Sequence, residues 1–222
     1  MESLVTVIVF ATVIAFICNL GRRTDVTGKP SALDSPDSFG IMAQNKSGSP
    51  PAQSFPSTKP AMLFKTGFNE KFMCGDIYSG STLVAVPLVG GTLESVGDFE
   101  PKFKFTVNSG ADWFQIDADK QHGRLGIKAV ATDDQGASVC IITEGVMAMN
   151  EVTMPLAFGS PDAKTSPFGF GVETFKIEAG DPKYKPLENM VFVGSQRFLQ
   201  PEGGLVGVEA RISQIVSGEG ME

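Results

Sequence analysis

The residues of this sequence most able to do chemistry are polar side chains set inside strand-like runs. Asp112 precedes Trp113, the only tryptophan, at the start of such a run. A carboxyl beside an aromatic wall loses hydration, which raises its pKa toward the range a general acid or base needs. Lys128, Thr143, Glu144, Glu173, Lys176 and Arg211 also sit within strand patterns. In a small barrel one face of each strand points inward, and a charged group there must be paired or must line a wet ligand cavity. The competing expectation for each of these residues is a solvated outer face.

Other chemistries find little support. The sequence has no P-loop, dinucleotide-binding glycine fingerprint, G-x-S-x-G elbow, H-E-x-x-H or C-x-x-C. One histidine and three cysteines among 222 residues leave too few ligands for most His- or Cys-rich metal sites. His122 falls in Asp119-Lys120-Gln121-His122-Gly123, which reads as an exposed turn rather than part of a triad. A net charge of −7 argues against binding a nucleic-acid backbone or adsorbing to anionic lipid. Cys140 reads as a buried small hydrophobe, and a Cys74–Cys140 disulfide is open to it in an oxidising compartment. Catalysis in such a chain would rest on carboxylates, Lys, Arg, aromatics and cavity shape, with no metal and no cofactor.

Three stretches of different character would position these residues. Leu4 to Leu20 is an apolar run followed at once by Arg22 and Arg23. Residues 1–21 read as a signal peptide, placing the protein in the secretory pathway, or alternatively as a membrane anchor over residues 4–20. Residues 22–60 are rich in Pro, Ser and Gly with no hydrophobic period, and they read as a disordered linker. Within them Asn45-Lys46-Ser47 is an N-glycosylation sequon, which matters if the chain is secreted. Residues 61–217 form the folded domain, with residues 218–222 as a flexible tail. Phe103, Phe105 and Val107 alternate onto one face, and Val206, Val208, Ala210 and Ile212 do the same in the last strand. Asp133-Asp134-Gln135-Gly136 connects a hairpin, Pro186 to Asn189 fits a single helical turn, and no twelve-residue amphipathic helix is present. Many short strands at roughly ten-residue spacing give an all-β chain, an antiparallel sandwich or barrel.

A series of strings then carries a resemblance. Val86-Pro87-Leu88-Val89-Gly90-Gly91-Thr92 is followed by Ser109-Gly110-Ala111-Asp112-Trp113, Gly123-Arg124-Leu125 and Thr132-Asp133-Asp134-Gln135-Gly136-Ala137. Ile177-Glu178-Ala179-Gly180-Asp181-Pro182-Lys183-Tyr184 and Leu187-Glu188-Asn189-Met190-Val191-Phe192-Val193-Gly194-Ser195 close it. In this order, over residues 62 to 216, the chain resembles a bacterial and fungal family of small β-barrel proteins known only as a domain of unknown function. The resemblance implies a calycin-like barrel with a central cavity, often in a homo-oligomer. Family members usually carry Arg just before the Val-Pro…Gly-Gly stretch, where this chain has Leu83-Val84-Ala85, so the resemblance carries no anion-binding role to that position. The chain is also similar to fungal hetero-Diels–Alderases of secondary metabolism, which join a tropolone quinone methide to a humulene-type sesquiterpene.

That likeness implies a cofactor-free cyclase that holds two reactants in a reactive pose, where orientation alone can contribute about 7–11 kcal/mol. Asp112, Glu144 and Lys128 are the expected catalytic residues: the carboxyls assist dehydration, and Lys128 or Arg124 binds the tropolone oxygens. Trp113 and Phe170 are expected to stack on the flat ring, with Thr143, Glu173 and Phe175 completing the binding wall. The expected partner is an apolar or aromatic small molecule, with membrane contact only through the N-terminal segment. Two other readings stay open: a lipocalin-like carrier without turnover, and a packed structural or secreted barrel.

Overall fold

The computed structural model describes residues 55–203 and 205–218. The apolar leader, Asn45, nearly all of the expected linker and the last four residues lie outside the described residues. Ten strands follow one another: β1 (Ser57–Phe68), β2 (Phe72–Asp76), β3 (Thr82–Pro87), β4 (Gly91–Ser95), β5 (Lys104–Ile116), β6 (His122–Thr132), β7 (Ser138–Ala148), β8 (Gly171–Ala179), β9 (Phe192–Glu202) and β10 (Leu205–Val216). Among the described residues, a five-residue helix, Thr153–Ala157, and a 3-10 turn, Lys185–Asn189, accompany the strands.

Every strand pair is antiparallel, and the pairing closes on itself. From β5 the ring runs through β6, β7, β8, β9 and β10 to β1, and β4 returns it to β5. β4 pairs with the first part of β5 and β3 with the second, so β3 and β4 share one position in the wall. β1 and β2 share the next, through β4 and β3. The result is the expected all-β closed barrel, with eight strand positions. Closure removes the open edges that would otherwise invite other chains to pair, except along β2, which pairs only with β3.

Alternation decides what each strand buries. At one end of the barrel Met62, Phe64, Leu93, Phe105, Ile141, Phe175, Ile177, Phe192 and Ile212 form a dry core. Phe64 and Phe175 meet edge-on at 5.9 Å. Tyr184 and Leu187, beside the 3-10 turn, seal this end, and the Tyr184 hydroxyl donates to Asp133 at 2.6 Å. At the other end Phe68, Val84, Val86, Phe114, Leu125, Met147 and Phe198 form a second cluster, covered by Leu156 of the short helix.

Two local irregularities set the phase. In β5, Val107 pairs with Ala131 but Ser109 with Val130, so Asn108 is an extra residue, a β-bulge. It turns Asp112 and Phe114 inward and Trp113 outward. In β1 the register shifts between Pro60 and Met62, where a proline that cannot donate to the ladder is accommodated. The strand nevertheless begins at Ser57, four residues inside the expected linker. Its polar start is held by pairing with β10 rather than by burial. Cys74 and Cys140 are free thiols on β2 and β7. Cys140 corrects the expectation of a buried hydrophobe: it is only half-buried, in the outward phase between Val139 and Ile141.

Candidate active site

Between the two apolar clusters five strands each contribute one buried polar side chain: Thr66 from β1, Asp112 from β5, Thr143 from β7, Glu173 from β8 and Gln196 from β9. Along β1 the inward order is Met62, Phe64, Thr66, Phe68, and the other four strands repeat this change from apolar to polar. The barrel therefore carries a polar girdle around its waist.

Above the girdle lies a cavity of about 70 Å³, room for several waters or a small ring. Its wall is built mainly by Phe68, Val84, Phe114, Leu125, Met147 and Phe198, with Thr66, Lys71, Asp112 and Gln196 as its polar members. Among the described residues Asp112 is its only carboxyl. One oxygen accepts a hydrogen bond from the Gly126 N–H at 2.8 Å. Burial nevertheless dominates and pushes the Asp112 pKa up to about 6, the Gly126 bond offsetting part of the rise.

Glu173 sits behind this wall rather than on it. Both of its cross-strand neighbours, Gly145 and Gly194, are glycines. A Cβ on Gly145 would meet the Glu173 Cβ at 2.7 Å, and one on Gly194 the Glu173 Cγ at 3.3 Å. The missing side chains make the niche in which the glutamate is buried. Thr143 Oγ1 and Glu173 Oε2 are both buried without a completed hydrogen bond. Burial pushes Glu173 up to about 7; the nearby Thr143 hydroxyl lowers it and the Asp112 charge adds to the rise. Both carboxyls thus hold their protons more tightly than exposed ones do.

Of the residues singled out in the sequence, Asp112, Thr143 and Glu173 are buried on the girdle. Several others do not. Lys128 and Glu144 point to the outer face in alternation with buried Ile127, Ala129 and Thr143, so neither reaches the cavity. Arg124 is also outside, paired with Asp117 at 2.7 Å. Trp113 is 53% exposed because the β5 bulge turns it away. Phe175 belongs to the dry core below the girdle, and Phe170, just before β8, is half-buried and off the cavity wall. Lys176 bridges Glu178 on the surface, and Arg211 lies over the Phe168 ring beside Glu209. Thr66, Gln196 and Lys71 were not anticipated. Asp117, Asp119 and His122 bring ligand-type atoms within 4.8 Å on the β5–β6 turn. Arg124 and the His122–Asp119 contact at 3.2 Å already partner that cluster.

A protein-family model described as Protein of unknown function (DUF3237) matches residues 56–215. No curated protein matches the chain. Among solved structures, a conserved protein of unknown function from Rhodopseudomonas palustris is 22% identical, with a TM-score of 0.59 over 73% of this chain and 99% of that one. A β-barrel-like protein from Acinetobacter baumannii AYE is 23% identical, with a TM-score of 0.53 over 77% and 100%. An enzyme from Penicillium herquei is 17% identical, with a TM-score of 0.47 over 76% and 99%. The first two likenesses bear on the fold alone, and the third carries no argument.

Proposed function

The chain belongs to that family, and on this premise we propose that its barrel is an enzyme that works without a cofactor, moving a proton on an apolar or aromatic small molecule bound in the upper cavity. The observation that carries this reading is Asp112. It is the one carboxyl on a largely apolar wall, and its pKa of about 6 lies near the pH at which a general acid–base group is most effective. Below that value Asp112 can give a proton to a leaving hydroxyl; above it, it can take one from a substrate oxygen. Glu173 does not touch the cavity, and burial keeps it mostly protonated while Asp112 titrates.

Within this class, dehydration of an aromatic alcohol to a quinone methide followed by ring closure fits a single acid–base carboxyl. Coupling to a humulene-type sesquiterpene asks for more room than about 70 Å³, since drug-sized ligands occupy roughly 300–1,000 Å³. We therefore favour closure within one small molecule, with the second partner admitted only if the cavity opens.

The test is turnover of an ortho-hydroxybenzyl alcohol that carries a tethered alkene to trap the quinone methide once water leaves, with and without a humulene-type terpenol, by the full chain and by Asp112→Asn. The wild type should form product with an apparent pKa near 6. The isosteric variant should lose about 100-fold or more in rate while keeping its affinity. Saturable binding with no product would make the barrel a carrier. An unchanged rate in Asp112→Asn would remove the acid–base role.

A further inference from the structure

Lys128 and Arg124, the cations expected to hold substrate oxygens, lie on the outer wall, which leaves one cation on the cavity among the described residues. Lys71 sits in the short connection between β1 and β2, half-buried, and lines the cavity together with Phe68, Ala157 and Phe158. Its Nζ lies over the Phe68 ring, 5.2 Å from the centroid. On the other side it faces the turn after the short helix, where a Cβ on Gly159 would come within 3.8 Å of Nζ. The ammonium is therefore held at the rim between an aromatic face and a glycine turn.

Among the described residues this ammonium has no carboxylate within salt-bridge distance, and its Nζ makes no hydrogen bond to the protein. Asp112, the other charged group on the wall, is buried farther in and binds Gly126 instead. A lysine drawn out of water without a partner holds its proton less tightly, and the Lys71 pKa is lowered by burial. The cation–π contact with Phe68 offsets part of that cost, because the ring presents its negative face to Nζ.

We propose that the molecule taken by this cavity carries an anionic oxygen, a carboxylate or an acidic enol or phenol, that Lys71 receives at the cavity mouth. The inference rests on the cavity being the binding site. It goes further in assigning the ligand two ends. An apolar ring fills the space enclosed by Val84, Phe114, Leu125 and Met147, its anionic oxygen stays at the rim, and its reacting atom faces Asp112. Lys71 orients the ligand and takes no part in proton transfer.

The experiment is calorimetric titration of the full chain with benzoate and with benzamide, an uncharged analogue of similar shape. It is run near pH 5.5, where Asp112 is largely protonated and does not repel an anion. A charge-assisted hydrogen bond should make benzoate about tenfold tighter or more. Lys71→Met should erase the preference while leaving benzamide affinity in place, and Lys71→Arg should restore part of it. Equal binding of the two probes, or a preference that survives in Lys71→Met, overturns the inference and leaves the cavity reading standing. Failure of both probes to bind the wild type overturns the cavity reading, and the inference falls with it.

Discussion

Asp112 and Glu173 keep protons in the folded protein that they release in the unfolded chain. Their pKa values rise from 3.8 to about 6 and from 4.5 to about 7, in both cases chiefly through burial. The folded state therefore binds more protons over this range, so stability falls as pH rises from about 4 to 7 and levels off above that. At 1.36 kcal/mol per pKa unit the loss is about 3 kcal/mol for each carboxyl. The double variant Asp112→Asn, Glu173→Gln should flatten this dependence, and urea unfolding at pH 5 and pH 8 measures it. A wild-type midpoint equal at the two pH values would show that the carboxyls are hydrated. At this scale the sequence was partly legible. A charged residue in a strand stands out, so Asp112 and Glu173 were found. Thr66 was not, because threonine between Phe64 and Phe68 reads as an ordinary strand former. Lys71 was missed because a lysine in a turn such as Asn69-Glu70-Lys71 is normally solvated.

Strand phase was readable wherever alternation ran unbroken. β6 offers Leu125, Ile127, Ala129 and Ala131 as one apolar phase, which already sets Arg124 and Lys128 on the other face. In β7 the same reasoning sends Glu144 outward. β5 could not be read this way. Counting from Phe105 and Val107 would bury Trp113 and expose Asp112, and the extra residue Asn108 reverses that assignment. A bulge leaves little trace in composition, yet here it decides which of two adjacent side chains meets the cavity. The glycines around Glu173 were likewise silent in the sequence. Gly145→Ala would press its Cβ to 2.5 Å from the Val172 carbonyl oxygen, and overpacking of this kind costs about 1–3 kcal/mol. Gly180→Ala meets nothing within 4 Å and should change stability by less than about 0.5 kcal/mol. Chemical denaturation of the two variants compares them directly, and equal midpoints would mean that the β7–β8 wall gives way around Gly145.

Across the whole molecule, closure gives most strands two partners, while β2 has one, on β3. Its Phe72 and Met73 are 55% and 59% exposed. Hydrogen exchange followed by mass spectrometry should release the amides of Phe72–Asp76 well before those of β6 and β7. Equal protection would mean that a partner covers this edge. The girdle of Thr66, Asp112, Thr143, Glu173 and Gln196 also divides the interior into two compartments under different constraints. Trimming a side chain below it opens a new void in packed material, whereas trimming Leu125 or Met147 above it enlarges a space that already exists. The floor therefore governs whether the chain folds, and the chamber can be recut with a smaller loss of foldability. A lineage built on this plan is free to reshape the chamber by altering a few of its residues, leaving the foundation untouched.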